Sequence, residues 1–505
     1  VSSIVFKDVS FAYDASPDGL FSELRFGVSE GWTGVIGANG AGKTTLLRLA
    51  CGELLPRRGS VDHPQTAQYC PQRTDSPMPE LGAFLAATDG EAFHLRGRLG
   101  IEEGWLERWN TLSHGERKRA QVGTCLWLEP ELLAVDEPTN HLDREARRMV
   151  VEVLRAYRGI GLLVSHDREL LDHLCRHCLF VDPPIAVLRS GGYTTARTAL
   201  EKEADREREL RTKAVRDRRR LEREVVQRRS HQHKAEEAKF LRGIDPRDSD
   251  ARAKAYAARN TDSRSGKRLR QIEGRLRQAE EHEASIQVSR PEDLGIEVQG
   301  SASSRNALLR VSSGALPLGE GRSVRFPDLL MQPSDRIALV GPNGSGKSTL
   351  IRHIVVQIGL PGERVIYIPQ EIPAERSTEI MAEVRGLRGE TLGRMMRWVK
   401  RLGSDPARLL ESELPSPGEV RKLILAKHLA LEPHLVIMDE PTNHMDLPSI
   451  ECVEAALSDF PGGLLLVSHD VRFLGALTTI RWEIEPDETS EATFSLHVRV
   501  ARPTT

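Results

Sequence analysis

A string of nine residues and its near copy constrain this chain more than anything else in it. Gly37-Ala-Asn-Gly-Ala-Gly-Lys43-Thr44-Thr45 returns as Gly341-Pro-Asn-Gly-Ser-Gly-Lys347-Ser348-Thr349. Leu132-Leu-Ala-Val-Asp136-Glu137-Pro-Thr-Asn-His-Leu-Asp143 returns as Leu435-Val-Ile-Met-Asp439-Glu440-Pro-Thr-Asn-His-Met-Asp446, and Leu163-Val-Ser-His166-Asp167 as Leu466-Val-Ser-His469-Asp470. The offsets are 304, 303 and 303 residues. Such spacing predicts two copies of one domain, over 1–192 and 304–505, with a charged segment over 193–303 between them.

Both nine-residue strings match G-x-x-x-x-G-K-[ST]. A short apolar run precedes each (Gly34-Val-Ile and Arg336-Ile-Ala-Leu-Val), and a helical pattern follows at Leu46–Leu49 and Leu350–Ile354. Strand, loop and helix in this order let backbone N–H groups cradle phosphate oxygens, with the helix N-terminus adding positive potential. The cradle residues are Gly37, Asn39, Gly40, Gly42 and Thr45, and Gly341, Asn343, Gly344, Gly346 and Thr349. Lys43 and Lys347 are expected to neutralise the β- and γ-phosphates. Thr44 and Ser348 offer a hydroxyl to Mg²⁺.

Asp136-Glu137 and Asp439-Glu440 each end a run of four apolar residues. At a strand end the first acid supports the metal. The second, Glu137 or Glu440, positions or deprotonates an attacking water. His166 and His469, 30 residues after each Asp, are placed to hydrogen-bond a γ-phosphate. Ser113-His-Gly115-Glu116 and Ser416-Pro-Gly418-Glu419 lie 23 residues before each Asp and fit the capping box S-x-x-E. Pro417 falls at a first helical position, where its missing N–H is harmless. Gly115 and Gly418 leave room for a phosphate at these helix starts.

Phosphate loop, Tyr69-Cys-Pro-Gln72 or Tyr367-Ile-Pro-Gln370, Ser-x-Gly-Glu, Asp-Glu and His, in that order, resemble an ATP-binding-cassette ATPase over about 390 of the 505 residues. Pro-Thr-Asn-His-x-Asp after the acids is similar to the ABC-F family, twin-cassette proteins that act on ribosomes. The resemblance implies an α/β fold: two P-loop ATP-binding-cassette domains joined by a long antiparallel α-helical hairpin. It implies ATP and Mg²⁺ as ligands, with Gln72 and Gln370 near the metal, and cassettes packed head to tail within a monomer. One composite site would join Lys43, Gln72, Glu137 and His166 to Ser416, Gly418 and Glu419. The other would join Lys347, Gln370, Glu440 and His469 to Ser113, Gly115 and Glu116.

The chain departs from the family pattern in two places. Leu414-Pro415-Ser416-Pro417-Gly418-Glu419 carries prolines that the first copy lacks, so the two sites are expected to differ in rate. The family stacks adenine on an aromatic of the N-terminal sheet. Phe11 and Tyr13 are the candidates in the first cassette, and 311–318 has no aromatic in the second. Glutamine to signature spans 41 and 46 residues, shorter than the membrane-gripping subdomain of transporter cassettes.

The middle segment has its own periodicity. Leu210, Ala214, Leu221 and Val225, and Leu269, Ile272, Leu276 and Ala279, form heptad seams. They predict a helix to about Leu241, a turn over 242–248 and a helix back to about Ile286. From Arg197 to Arg290 there are 27 Lys+Arg against 18 Asp+Glu. Since the whole chain carries −2, the remainder carries −11. A basic middle between acidic flanks points to a polyanion. Arg216, Arg218, Arg219, Arg220, Arg223, Arg228 and Arg229 are expected to meet RNA phosphate, with Phe240 and Leu241 at the tip. In the ABC-F family this linker enters the ribosomal tRNA exit site, and long linkers reach toward the peptidyl-transferase centre. The resemblance therefore implies a ribosomal partner, with rRNA and P-site tRNA contacts.

No apolar run approaches the roughly 18–20 residues of a membrane helix, the N-terminus has no signal-peptide pattern, and six Cys in 505 residues make no disulfide framework. The expectation is a cytoplasmic protein without a membrane partner. His173, Cys175, His177 and Cys178 read as a packed helix running into a strand rather than a zinc site. Four functions compete: ribosome protection against antibiotics, which leads; a housekeeping factor for stalled ribosomes; the ATPase subunit of an exporter; and a DNA-repair ATPase.

Overall fold

The computed structural model describes residues 3–14, 19–140, 142, 144–240, 269–285, 303, 305–319, 321–404, 406, 409, 417–443, 445–487 and 490–500. The chain divides into two compact units, Val1–Ala196 with Glu292–Thr505, and Arg197–Pro291.

The first unit holds both repeats. Short runs such as Leu132–Asp136, Ile160–Val164, Leu435–Asp439 and Gly463–Val467 are buried at every position. A strand buried on both faces belongs at the centre of a parallel sheet covered by helices. In the first repeat the order is Ala67–Cys70, Leu132–Asp136, Ile160–Val164, Gly31–Ile36, Cys175–Asp182, Ile185–Ser190, parallel except for the last. The second repeat has the same core order: Val365–Ile368, Leu435–Asp439, Gly463–Val467, Arg336–Val340, Ile480–Asp487. The strand leading to each phosphate loop thus sits between the Ser-His-Asp strand and the closing strand. All the sequence-predicted acids, histidines and phosphate loops leave the sheet at its C-terminal edge, where open α/β sheets bind ligands.

The flanking antiparallel strands differ between repeats. In the first, Phe21–Ser29, Ser3–Phe11 and Arg58–Asp62 form a separate sheet of three strands. In the second, Ser490–Val500 runs antiparallel to Ile480–Asp487 and parallel to Arg322–Phe326, extending the sheet to eight strands. Helix Arg168–Leu174 passes directly into strand Cys175–Asp182, with Cys175 and Cys178 buried. This is the packed stretch expected there.

The second unit contains most of helix Tyr193–Phe240, about 72 Å long at 1.5 Å per residue, and a helix over 269–285. Leu221, Val225 and Ile272 are buried together, with Leu269, Leu276 and Ala279 packed on them. Arg218 Nε donates to Glu283 at 2.7 Å and Arg229 Nη2 to Glu273 at 2.6 Å. Later residues on one helix meet earlier ones on the other, so the pair is antiparallel. Leu210 departs from the expected seam: it is 56% exposed. Leu241, the expected turn over 242–248 and the start of the returning helix lie outside the described residues, as does the side chain of Phe240.

The arginines expected to meet RNA divide into two groups. Arg218, Arg228 and Arg229 face carboxylates of the hairpin itself. Arg216, Arg219, Arg220 and Arg223 are exposed. The seam explains the division, because Arg218 and Arg229 border it and reach across.

Candidate active sites

Each phosphate loop depends on glycines with left-handed backbone. Gly42 has φ +87° and Gly346 φ +91°, each as N-cap of the following helix. A Cβ on Gly42 would lie 2.8 Å from Phe21 Cζ, and one on Gly346 2.6 Å from Leu318 Cδ2. At Gly40 the φ is +79° but nothing lies within 4 Å. Gly42→Ala combines strain with overlap, whereas Gly40→Ala carries conformational strain alone. The expected outcome is an ATP affinity about tenfold or more lower for Gly42→Ala and a smaller loss for Gly40→Ala. Fluorescent-nucleotide titration checks this.

In the first repeat the loop closes a cavity of about 590 Å³. Tyr13, Asn39, Gly40, Gly42, Lys43, Thr44, Thr45, Gln72, Asp136, Glu137 and His166 all line it. Lys43 Nζ donates to the carbonyls of Gly37 and Ala38 at 2.9 and 3.0 Å, which fixes the ammonium over the loop. Thr44 Oγ1 donates to Asp136 Oδ2 at 2.7 Å, and Tyr69 Oη to the same oxygen at 3.2 Å. Tyr13 is 44% exposed, and its hydroxyl lies 2.8 Å from Thr45 Oγ1. Phe11 packs edge-on to Tyr13 but is buried in the core. Of the two aromatic candidates, only Tyr13 reaches the cavity.

Glu137 and Glu440 have φ of +50° and +49°, left-handed values in both repeats. Such a conformation costs about 1–3 kcal/mol in a residue with a side chain. It directs Glu137 N to Val164 O at 2.9 Å and Glu440 N to Val467 O at 2.8 Å. His166 Nε2 lies 3.1 Å from Glu137 Oε1, and His469 Nε2 lies 3.4 Å from Glu440 Oε1. Burial, and then the neighbouring Asp136, push the Glu137 carboxyl up to about 8, against the pull of Lys43. Burial raises Glu440 to about 7. Burial and Lys43 lower His166 to about 3, keeping its ring neutral.

The second cavity, about 480 Å³, takes Asn343, Gly344, Gly346, Lys347, Ser348, Thr349, Gln370, Asp439, Glu440 and His469 from its own repeat. Lys347 Nζ donates to the carbonyls of Gly341 and Pro342. Leu318 and Arg322 also line this cavity, and among the described residues no Phe, Tyr or Trp side chain does. The first repeat completes it with Thr139, Asn140, Leu142, Arg147, His166, Asp167 and Glu169. Reciprocally, Asn39 N in the first phosphate loop donates to Asp446 Oδ2 of the second repeat at 2.6 Å. Asp446 caps helix Leu447–Ser458 with its other oxygen. Burial raises its pKa, but the Ser449 hydroxyl and surrounding donors outweigh that and leave it lowered. The repeats are further joined by Arg168 to Glu454 at 2.7 Å and Arg472 to Asp172 at 2.5 Å.

The described signature residues line neither cavity. Ser113 and Glu116 form the expected capping box: Ser113 Oγ accepts from Glu116 N at 3.3 Å, and Glu116 Oε2 accepts from Ser113 N at 2.7 Å. Neither they nor Gly115 line the second cavity, and Gly418 and Glu419 do not line the first. Helix Pro417–Leu429 begins at the expected proline. Ser416 lies outside the described residues. Asp446, Arg147 and Arg322 were missed by sequence reasoning. Asp446 had a signal, since it ends the repeated Pro-Thr-Asn-His-x-Asp, whereas Ile450 stands 303 residues after Arg147 and gives no such cue.

The donors suit Mg²⁺. Thr44 with Asp136 forms a pair of hard oxygens facing the cavity, and Ser348 and Asp439 line the second cavity together, with Asp439 Oδ1 buried without a hydrogen-bond partner. Among the described residues no group of three His, Cys, Asp or Glu could hold a metal.

Two phosphate loops, each grouped with two acids at one strand end and a histidine after the strand between them, define a twin-cassette ATPase. A family model described as ABC transporter matches residues 21–140 and 327–443. The tylosin resistance ATP-binding protein TlrC of Streptomyces fradiae is 30% identical over 550 residues, covering 94% of this chain and 96% of that protein. The ribosome protection protein VmlR of Bacillus subtilis (strain 168) is 28% identical over 489 residues, covering 92% and 84%. The energy-dependent translational throttle protein EttA of Mycobacterium tuberculosis (strain ATCC 25618 / H37Rv) is 28% identical over 523 residues, covering 90% and 87%. The chain belongs to the ABC-F family of ATPases. Among the described residues no helix is long and apolar enough to cross a membrane.

Proposed function

We propose that this ATPase binds the ribosome and protects it against antibiotics, with its basic hairpin entering the tRNA exit site toward the peptidyl-transferase centre. Hydrolysis then releases it. The observation that carries the reading is full-length similarity to a tylosin resistance protein and a ribosome protection protein, at 94% and 92% of this chain. The exposed arginines of the hairpin, Arg216, Arg219, Arg220 and Arg223, support an RNA phosphate partner. The similarity to EttA favours a second reading, a translation factor without a drug.

In the proposed chemistry Lys43 and Lys347 hold the β- and γ-phosphates. Thr44, Asp136 and Gln72 would hold one Mg²⁺, and Ser348, Asp439 and Gln370 the other, and each ion when bound would supply positive charge to the substrate phosphates. Glu137 and Glu440 orient water and accept its proton, and their raised pKa places each near the working range of a general base. His166 and His469 hydrogen-bond the γ-phosphate. Ser113, Gly115 and Glu116, and Ser416, Gly418 and Glu419, reach the opposite nucleotide as the cassettes close.

The two sites are unequal: Tyr13 has no aromatic counterpart, and Pro415 and Pro417 flank only one signature. Glu137→Gln and Glu440→Gln are therefore expected to change the ATPase rate by amounts differing about threefold or more. Equal steady-state rates for the two single variants would count against unequal sites. The function itself is tested by sedimenting the ATP-trapped protein with ribosomes and by in vitro translation against drugs of the peptidyl-transferase centre. Binding with rescue supports protection. Binding without rescue from any drug moves the second reading ahead.

A further inference from the structure

Two buried cations occupy the same place in both repeats, one turn into the signature helix. Lys118 is 0% exposed and Arg421 is 2% exposed. Lys118 Nζ donates to Pro71 O at 2.7 Å and to Gln72 O at 3.1 Å. Gln121, one turn further, donates Nε2 to Arg73 O at 2.8 Å. Helix His114–Trp127 thus holds three consecutive carbonyls of the glutamine loop. Arg421 donates to Gln370 O with one amino group and to Asn443 O, in the turn after the second Asp-Glu pair, with the other. Ile424 stands where the first repeat has Gln121.

A fully buried ammonium held by carbonyls rather than a carboxylate is a costly way to pack a helix. It joins two parts whose side chains face different nucleotides in the proposed closed state. The helix begins at Ser113, which in the proposed closed state reaches the opposite nucleotide, while Gln72 lines the cavity of its own phosphate loop. A hydrogen-bonded link thus runs from the helix start through Lys118 to the backbone of Gln72. In the second repeat Arg421 carries it to Gln370 and also to Asn443.

We propose that Lys118 with Gln121, and Arg421, are positioning residues that tie each signature helix to the glutamine loop of the same cassette, so that closure over one nucleotide sets the glutamine of the other site. This rests on Gln72 and Gln370 serving their nucleotides. Each variant is measured in the full chain with one site silenced: Glu440→Gln reports the first site and Glu137→Gln the second. Lys118→Met is expected to lower first-site kcat about tenfold, with ATP KM within about twofold and second-site turnover much less affected. Lys118→Arg, which can reach the same carbonyls, should restore most of it. Arg421→Met should show the reverse pattern.

A packing role alone would lower thermal stability and slow both sites together, and that result overturns the proposal. So does loss confined to the opposite site, or no loss at either. Should Lys118→Met fail to fold, Gln121→Leu decides, because the other repeat accommodates Ile424 there; unchanged first-site kcat in that variant overturns the proposal. Gln72→Ala is run in parallel. If it leaves first-site turnover intact, the glutamine assignment fails; if it slows turnover while Lys118→Met does not, the tie fails.

Discussion

Glu137→Gln combined with Glu440→Gln is expected to lower ATP turnover about 100-fold or more while ATP still binds. Glutamine matches glutamate in size and can keep the left-handed turn after the strand, so the cavity keeps its shape. It cannot accept a proton from water. At a pH where the carboxyls are ionised, above about 8 for Glu137 and about 7 for Glu440, the substitutions also remove negative charge beside Asp136 and Asp439, where the γ-phosphate adds more. Nucleotide should therefore stay bound and hold the cassettes closed. Phosphate release measures the first effect, and a nucleotide-dependent rise in melting temperature the second. Turnover near wild type in the double variant would remove both glutamates from the catalytic role.

The sites were legible in the sequence because phosphate chemistry demands particular residue types at strand ends. Lys43, Thr44, Gln72, Asp136, Glu137 and His166 come together in one cavity because the strands carrying them are neighbours in the sheet. Each needed only its motif to be recognised. Contacts between motifs were not legible. Nothing in the spacing says that Asp446 will accept a hydrogen bond from Asn39, 407 residues earlier, since that depends on how two complete domains face each other. Lys118 and Arg421 sit among other basic residues in the sequence, and nothing there sets them apart. Only burial distinguishes Lys118 from its partly exposed neighbours Arg117 and Arg119. The hairpin shows the same limit. Its heptads predicted the pairing of Leu221, Val225 and Ile272, but a count of arginines could not reveal which would turn inward to Glu273 and Glu283.

That division among the arginines sharpens what the hairpin should do. Arg219→Ala with Arg220→Ala removes two exposed cations and is expected to weaken ribosome binding. It should also flatten the salt dependence by about 0.7–0.9 in log–log slope for each phosphate that no longer meets an arginine. Arg218→Ala acts differently. Its guanidinium bonds Glu283 and Glu222, so its loss should loosen the helix pair, read as lower helix content on heating. Phe240→Ala with Leu241→Ala should leave ATPase activity and most ribosome affinity intact, because two apolar side chains add little to a phosphate-dominated interface. If the tip acts beside the drug, that variant nevertheless abolishes rescue of translation. In vitro translation with a peptidyl-transferase drug, at matched ribosome occupancy, separates the roles. Rescue by the tip variant equal to wild type would remove Phe240 and Leu241 from drug displacement and leave the arms to account for protection. Loss of rescue only in proportion to weakened binding would mean that occupancy alone clears the drug.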